Sequence, residues 1–141
     1  MAITSSSVVT VSKTATVMEA VELMAAARVG SVLVVEDGRL EGIFSERDVM
    51  LRVVMENRDP RKTEVEEVMT SRVHSISQRT TDDEALRMML QEHIRHLPVV
   101  DDAGRVQAIV GMRNLLEEKV RELHQQLDSL ESYITADGIG G

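Results

Sequence analysis

The stretch that decides the fold is residues 9–38, "VTVSKTATVMEAVELMAAARVGSVLVVEDG", because it returns as residues 74–104, "HSISQRTTDDEALRMMLQEHIRHLPVVDDAG". Glu19 and Ala20 fall on Glu84 and Ala85, Met24 on Met89, Val29 on Ile94, and Val34 and Val35 on Val99 and Val100. One extra residue before Gly104 then shifts the register, after which Gly38 matches Gly104, Arg39 matches Arg105 and Arg47 matches Arg113. Such self-similarity is read first as a duplicated structural unit.

Each copy predicts the same elements. A short strand ("VVTVS", "VHSIS") leads to Thr16 or Thr81, each followed three residues later by a glutamate, the capping-box signature of a helix start. Val17, Ala20, Val21 and Met24, like Leu86, Met89, Leu90 and His93, then recur at helical spacing. The apolar runs "SVLVVE" and "LPVVDD" are turned by Asp-Gly or Ala-Gly into second strands, "RLEGIF" and "RVQAIV". A second helix follows each, "ERDVMLRVVMEN" and "MRNLLEEKV". The expected unit is therefore β-α-β-β-α, twice, giving an α/β (α+β) fold whose two halves pack into one pseudo-symmetric module.

The chain divides accordingly. Residues 1–62 are expected to form the first repeat with its connector, 63–120 the second repeat, and 121–141 a C-terminal helix and frayed tail. The polar connector "RDPRKTEVEEVM" contains Pro60 and leads into a short helical turn. In the tail, Leu116, Val120, Leu123, Leu127, Leu130 and Ile134 alternate by four and three, a heptad seam. Two readings of it stay open, packing on its own domain and pairing between subunits. The helix is expected to run to about Tyr133, with "ADGIGG" fraying.

Composition narrows the function. The 141 residues suit a single compact domain, and 43% apolar with 28% charged residues is ordinary for a globular protein. Phe44 and Tyr133 are the only aromatics, so a flat ligand would lie between aliphatic side chains. A net charge of −8 argues against nucleic acid, whose phosphates need a cluster of Lys and Arg. The chain has no cysteine, hence no disulfide, thiolate nucleophile or Cys-based metal site. It shows no signal-like start and no run of about eighteen apolar residues, so a cytoplasmic protein without a membrane span is expected.

One short motif points to a ligand. Ser45-x-x-Asp48 stands where a strand becomes a helix, so a hydroxyl and helix N–H groups there form an anion site. Asp48 adds two acceptor oxygens, which suit the 2′ and 3′ hydroxyls of a ribose. The same pair also reads as a near capping box, sufficient to begin a helix with no ligand at all.

The duplicated unit, with "HIRHLPVVD" and "GIFSERD", resembles tandem cystathionine-β-synthase (CBS) domain pairs, or Bateman modules, from about Val8 to Val120. The resemblance is to stand-alone bacterial CBS-pair proteins without an enzyme domain. It implies a non-enzymatic regulatory module that senses an adenine nucleotide (AMP, ADP, ATP or NAD(H)) between its repeats, needs no cofactor, and forms a homodimer acting on an unknown regulated protein. A dimerising scaffold with decayed nucleotide sites is the alternative.

Carried over by resemblance, a first site would use Ile43, Ser45, Arg47 and Asp48 with Gly30 and Ser31, completed by Met69, His74, Ile94 and Arg95. A second would use Ile109, Gly111, Arg113 and Asn114 with Arg95 and His96, walled by Thr4, Val9, Val29 and Gly30. There Gly111 lacks a hydroxyl and Asn114 offers a neutral amide in place of a carboxylate, so the second site is expected to be weaker. Arg95 and His96 are the expected phosphate clamp. His74, His93 and His124 are scattered, so no metal site is expected, and the nine methionines read as core filler. No phosphate-binding glycine loop or catalytic triad order emerges, so no enzyme is expected.

Overall fold

A computed structural model describes residues 8–140, with side chains described as far as Thr135. The first repeat contains β1 (Thr10–Val11), α1 (Val17–Ala27), β2 (Ser31–Glu36) and β3 (Arg39–Ser45). One α-turn, α2 (Glu46–Asp48), runs on as a π-helix over Val49–Val54, and α3 (Val65–Val68) follows the connector. The second repeat contains α4 (Asp82–Glu92), β4 (His96–Val100), β5 (Val106–Gly111) and α5 (Met112–Gly140).

The duplication is visible at single residues. Thr16 and Thr81 cap α1 and α4 through the same bond, each hydroxyl accepting the N–H three residues on at 3.1 Å. Both helices end in a left-handed residue, Arg28 (φ 56°) and His93 (φ 55°). β2 and β3 pair antiparallel, as do β4 and β5, and the register slips between Val34 and Val35 and again between Val99 and Val100. Asp37 (φ 51°) and Gly38 (φ 80°) turn the first hairpin in the doubly left-handed form that Asp-Gly favours.

Each repeat buries its own apolar cluster. Val17, Ala20, Met24, Val32, Val34 and Phe44 fill the first, and Ala85, Met89, Leu97, Val99, Val110 and Leu115 the second. Val65 and Val68 of α3 also lie in the first core, so the chain crosses between the cores only after them. The hairpin ends also meet: Leu40 N–H donates to the Gly104 carbonyl and Val106 N–H to that of Gly38, both at 3.0 Å.

Four expectations are corrected. The segment "VHSIS" is not a strand but a single parallel bridge between Ile76 and Val99. Proline explains the difference: in the first repeat Leu33 N–H donates to the Val9 carbonyl at 3.0 Å, whereas Pro98, at the matching position, has no N–H to offer His74. The helix expected over "ERDVMLRVVMEN" widens into π geometry, with Met55 N–H bonded to the Met50 carbonyl five residues back. That winding turns Val49 and Val53 to the core and leaves Arg52 to reach the carbonyls of Val68 and Met69.

On α4 the buried stripe is Ala85 and Met89. Leu90, expected on it, is 66% exposed, and His93 is the left-handed cap. The C-terminal helix continues past Tyr133 to Gly140, since no proline interrupts it and each added residue propagates one more bond.

Candidate functional site

The first repeat's strand-to-helix turn and the helix-to-strand loops of both repeats converge on a cleft of about 550 Å³ between the repeats. From the first repeat it is lined by Val9, Val29, Gly30, Ser31, Ile43 and Ser45, and from the second by Ile94, Arg95, His96 and Ile109. Ten of the expected site residues are thus brought to one cavity, within the size range of small-molecule sites. Its lining is largely aliphatic, with Arg28, Arg95 and His96 as basic side chains and Glu46 as the acid among the described residues.

Arg28 was not anticipated. It matches His93, and its place at the cleft follows from the left-handed turn that ends α1, where its N–H bonds to the carbonyls of Ala25 and Met24. A helical stripe reading of "MAAARVG" shows where the helix stops, but not which way the capping side chain leaves it. Glu46, Leu33 and Pro98 also line the cleft without having been singled out.

A second cavity, of about 800 Å³, shares Arg95 and His96 with the first. Gly111, Arg113 and Asn114 line it, joined by Met112, Leu116, Glu117 and Val120 at the start of α5, whereas Val9, Val29, Gly30 and Ile109, expected at the same site, line the first cleft. Thr4, expected to wall this second site, lies outside the described residues.

The Ser45-x-x-Asp48 turn is satisfied internally. Asp48, 7% exposed, accepts the Ser45 N–H at 3.1 Å and the Ser45 hydroxyl at 3.2 Å, while its own N–H donates to that hydroxyl at 3.3 Å. Thr70 adds a hydroxyl at 3.3 Å, and the Arg52 guanidinium lies 3.7 Å away. Glu46 N–H donates to the Gly30 carbonyl at 3.0 Å, and at the matching turn Met112 N–H donates to Arg95 at 2.8 Å. These two N–H groups, together with that of Asp48, are bonded to protein acceptors.

Met69 and His74 are placed elsewhere. Met69 packs behind the strand, where a Cβ on Gly42 would come within 2.6 Å of its sulfur and 2.9 Å of the Thr70 carbonyl. Gly42 thus admits a neighbouring backbone: Ile43 and Thr70 exchange two hydrogen bonds of 2.9 Å across it. His74 pairs with Glu92 at 3.3 Å, and Arg47 is exposed on α2. Among the described residues no cluster of three or more potential ligands could hold a metal ion, and no helix is long and apolar enough to cross a membrane.

A family model described as CBS domain matches residues 2–54 and again 65–121. The CBS domain-containing protein YhcV of Bacillus subtilis is 39% identical over 77% of this chain and 76% of its own. A mitochondrial CBS domain-containing protein of Arabidopsis thaliana, CBSX3, is 31% identical over 84% of this chain, which spans only 60% of that protein. Among solved structures, a CBS-domain containing protein from Agrobacterium tumefaciens has a TM-score of 0.70 at 29% identity, covering 80% of this chain and 90% of its own. A CBS domain protein from Pyrobaculum aerophilum complexed with AMP has a TM-score of 0.69 at 25% identity, covering 78% and 84%.

Proposed function

The chain belongs to the CBS-domain family as a tandem pair of repeats, and on that premise we propose that it is a non-enzymatic regulatory module sensing an adenine nucleotide in the cleft between them. The observation that carries this reading is the cleft's division of labour. Aliphatic side chains of Val29, Ile43, Ile94 and Ile109 offer a slot for a flat base, and the basic side chains of Arg28, Arg95 and His96 suit phosphate oxygens.

The AMP bound by the Pyrobaculum aerophilum relative supports the ligand class. AMP, ADP, ATP and NAD(H) all present the same adenosine and at least one phosphate. Asp48 is a positioning residue in this account: its carboxylate, bonded to Ser45 and Thr70, shapes the Ser45 turn that borders the cleft. Binding regulates a partner only as far as the nucleotide prefers one conformation of the module over another. The module works as a homodimer in the cytoplasm, on a regulated protein yet to be identified. Calorimetric titration with the four nucleotides tests the reading.

A second reading, a dimerising scaffold whose nucleotide sites have decayed, draws on one observation. Ser45 and Asp48 are bonded to each other and Asp48 also to Thr70, an arrangement that suffices for a turn with no ligand. It predicts self-association indifferent to nucleotide.

A further inference from the structure

Among the described residues, nothing covers most of the apolar seam of the longest element of the fold. Leu115 at its start is buried in the second core, but from Arg121 to Thr135 every residue of α5 is exposed. Leu116, Val120, Leu123, Leu127, Leu130 and Ile134 are each between 48% and 56% exposed, the uniform half-exposure of a stripe whose outer flank is uncovered. Packing on its own domain, one of the two readings open from sequence, therefore ends at the first turns. A helix projecting this far is marginal alone in water.

We propose that α5 pairs with α5 of a second copy as a parallel, in-register two-stranded coiled coil. The homodimer reading is needed only for the existence of a second copy; nothing in the nucleotide cleft enters the argument. Three features select this occupant. The four-three spacing puts Val120, Leu127 and Ile134 at a positions and Leu116, Leu123 and Leu130 at d; two of the three a residues, Val120 and Ile134, are β-branched and every d residue is leucine, the combination that favours two parallel strands. An antiparallel pair with the same a/d contacts would set Glu117 against Glu131 of the partner at both ends, whereas the parallel pair faces Gln126 with Glu131.

The area also fits. Six half-exposed aliphatic side chains supply on the order of 500 Å² per chain, approaching the roughly 800 Å² per partner of a standard interface. A lipid surface is a poor occupant, because Glu117, Glu118, Glu122, Asp128 and Glu131 make the exposed helix acidic and anionic headgroups repel it. Pairing has a consequence for the second cavity. Leu116 and Val120, the first d and a residues, form its outer wall, so a parallel coil brings the two copies' second cavities to the same end.

The absence of cysteine allows a direct test on the full chain. Val120→Cys and Leu130→Cys are made singly and oxidised, alone and mixed. The parallel coil predicts that each variant crosslinks to itself, since like positions face each other within disulfide reach. Crosslinking only in the mixture means an antiparallel pair and overturns the proposal. Sedimentation equilibrium of the wild type is expected to give a dimer, and Leu123→Lys with Leu127→Lys is expected to weaken it at least a hundredfold, with the far-ultraviolet spectrum of the domain retained. A dimer unmoved by those lysines overturns the coil but leaves the homodimer standing, while a monomeric wild type overturns both.

Discussion

The hydroxyl of Thr70 lies 3.3 Å from the carboxylate of Asp48, so a residue after the connector is tied to the turn that opens the first repeat's second helix. The same carboxylate also holds Ser45 and lies near Arg52. Asp48→Ala leaves the Ser45 N–H and the Thr70 hydroxyl without their acceptor. The expected cost is about 1–3 kcal/mol, read as a lower urea midpoint. Thr70→Ala, which removes one neutral donor, is expected to cost less than Asp48→Ala.

Gly42 and Ala108 occupy matching places in the two repeats but not matching surroundings. At Gly42 an added Cβ meets the Thr70 carbonyl at 2.9 Å, and backbone cannot swing aside as the Met69 side chain can. Gly42→Ala is therefore expected to destabilise by about 1–3 kcal/mol, as overpacking does. A thermal melt measures it, and an unchanged midpoint contradicts the close approach.

The second turn can be rebuilt toward the first. A Cβ at Gly111 would sit 3.4 Å from His96 and 3.9 Å from Asn114, ordinary contacts, so Gly111→Ser with Asn114→Asp is expected to fold. The new pair would form the reciprocal cap seen at Ser45 and Asp48. Amide exchange at the start of α5 is expected to slow relative to wild type.

Acid stability has a local signature at the start of the sheet. Glu36 accepts the Lys13 N–H at 2.8 Å and the Ser12 hydroxyl at 2.9 Å, and these bonds, the first above all, hold its pKa below the ordinary carboxylate value. A depressed folded pKa means stability that is fully present above the unfolded pKa and is lost as pH falls through the folded one. Thermal midpoints followed from about pH 6 to about pH 3 are expected to fall less steeply for Glu36→Gln than for wild type.

Much of this architecture was legible because it repeats. Thr16 and Thr81 announce their helices, and Asp37-Gly38 its hairpin, through local chemistry that needs no tertiary knowledge. What escaped depends on partners. Pro98 looks harmless within "HLPVV" until the strand beside it is known, and only then does its missing N–H shorten the pairing to one bridge. The π-winding at Val49–Val54 carries no glycine or proline to mark it. In the site, Ile43, Ile94 and the Arg95–His96 pair were named through the family resemblance, and the structure places all four on one cavity. Arg28 was not named, because its direction is set by a left-handed cap, and Asp48 could be read as ligand acceptor or as turn support until its partners were seen.

The central claim is that the cleft between the repeats takes an adenine nucleotide with Arg95 at its phosphates. Isothermal titration of AMP, ADP, ATP and NADH into the full chain, repeated with Arg95→Ala, tests it most directly. The account predicts saturable heat with at least one nucleotide and a loss of about tenfold or more in affinity on removing the guanidinium, in keeping with a charge-assisted contact. No heat from any of the four, or equal affinity without Arg95, would contradict it.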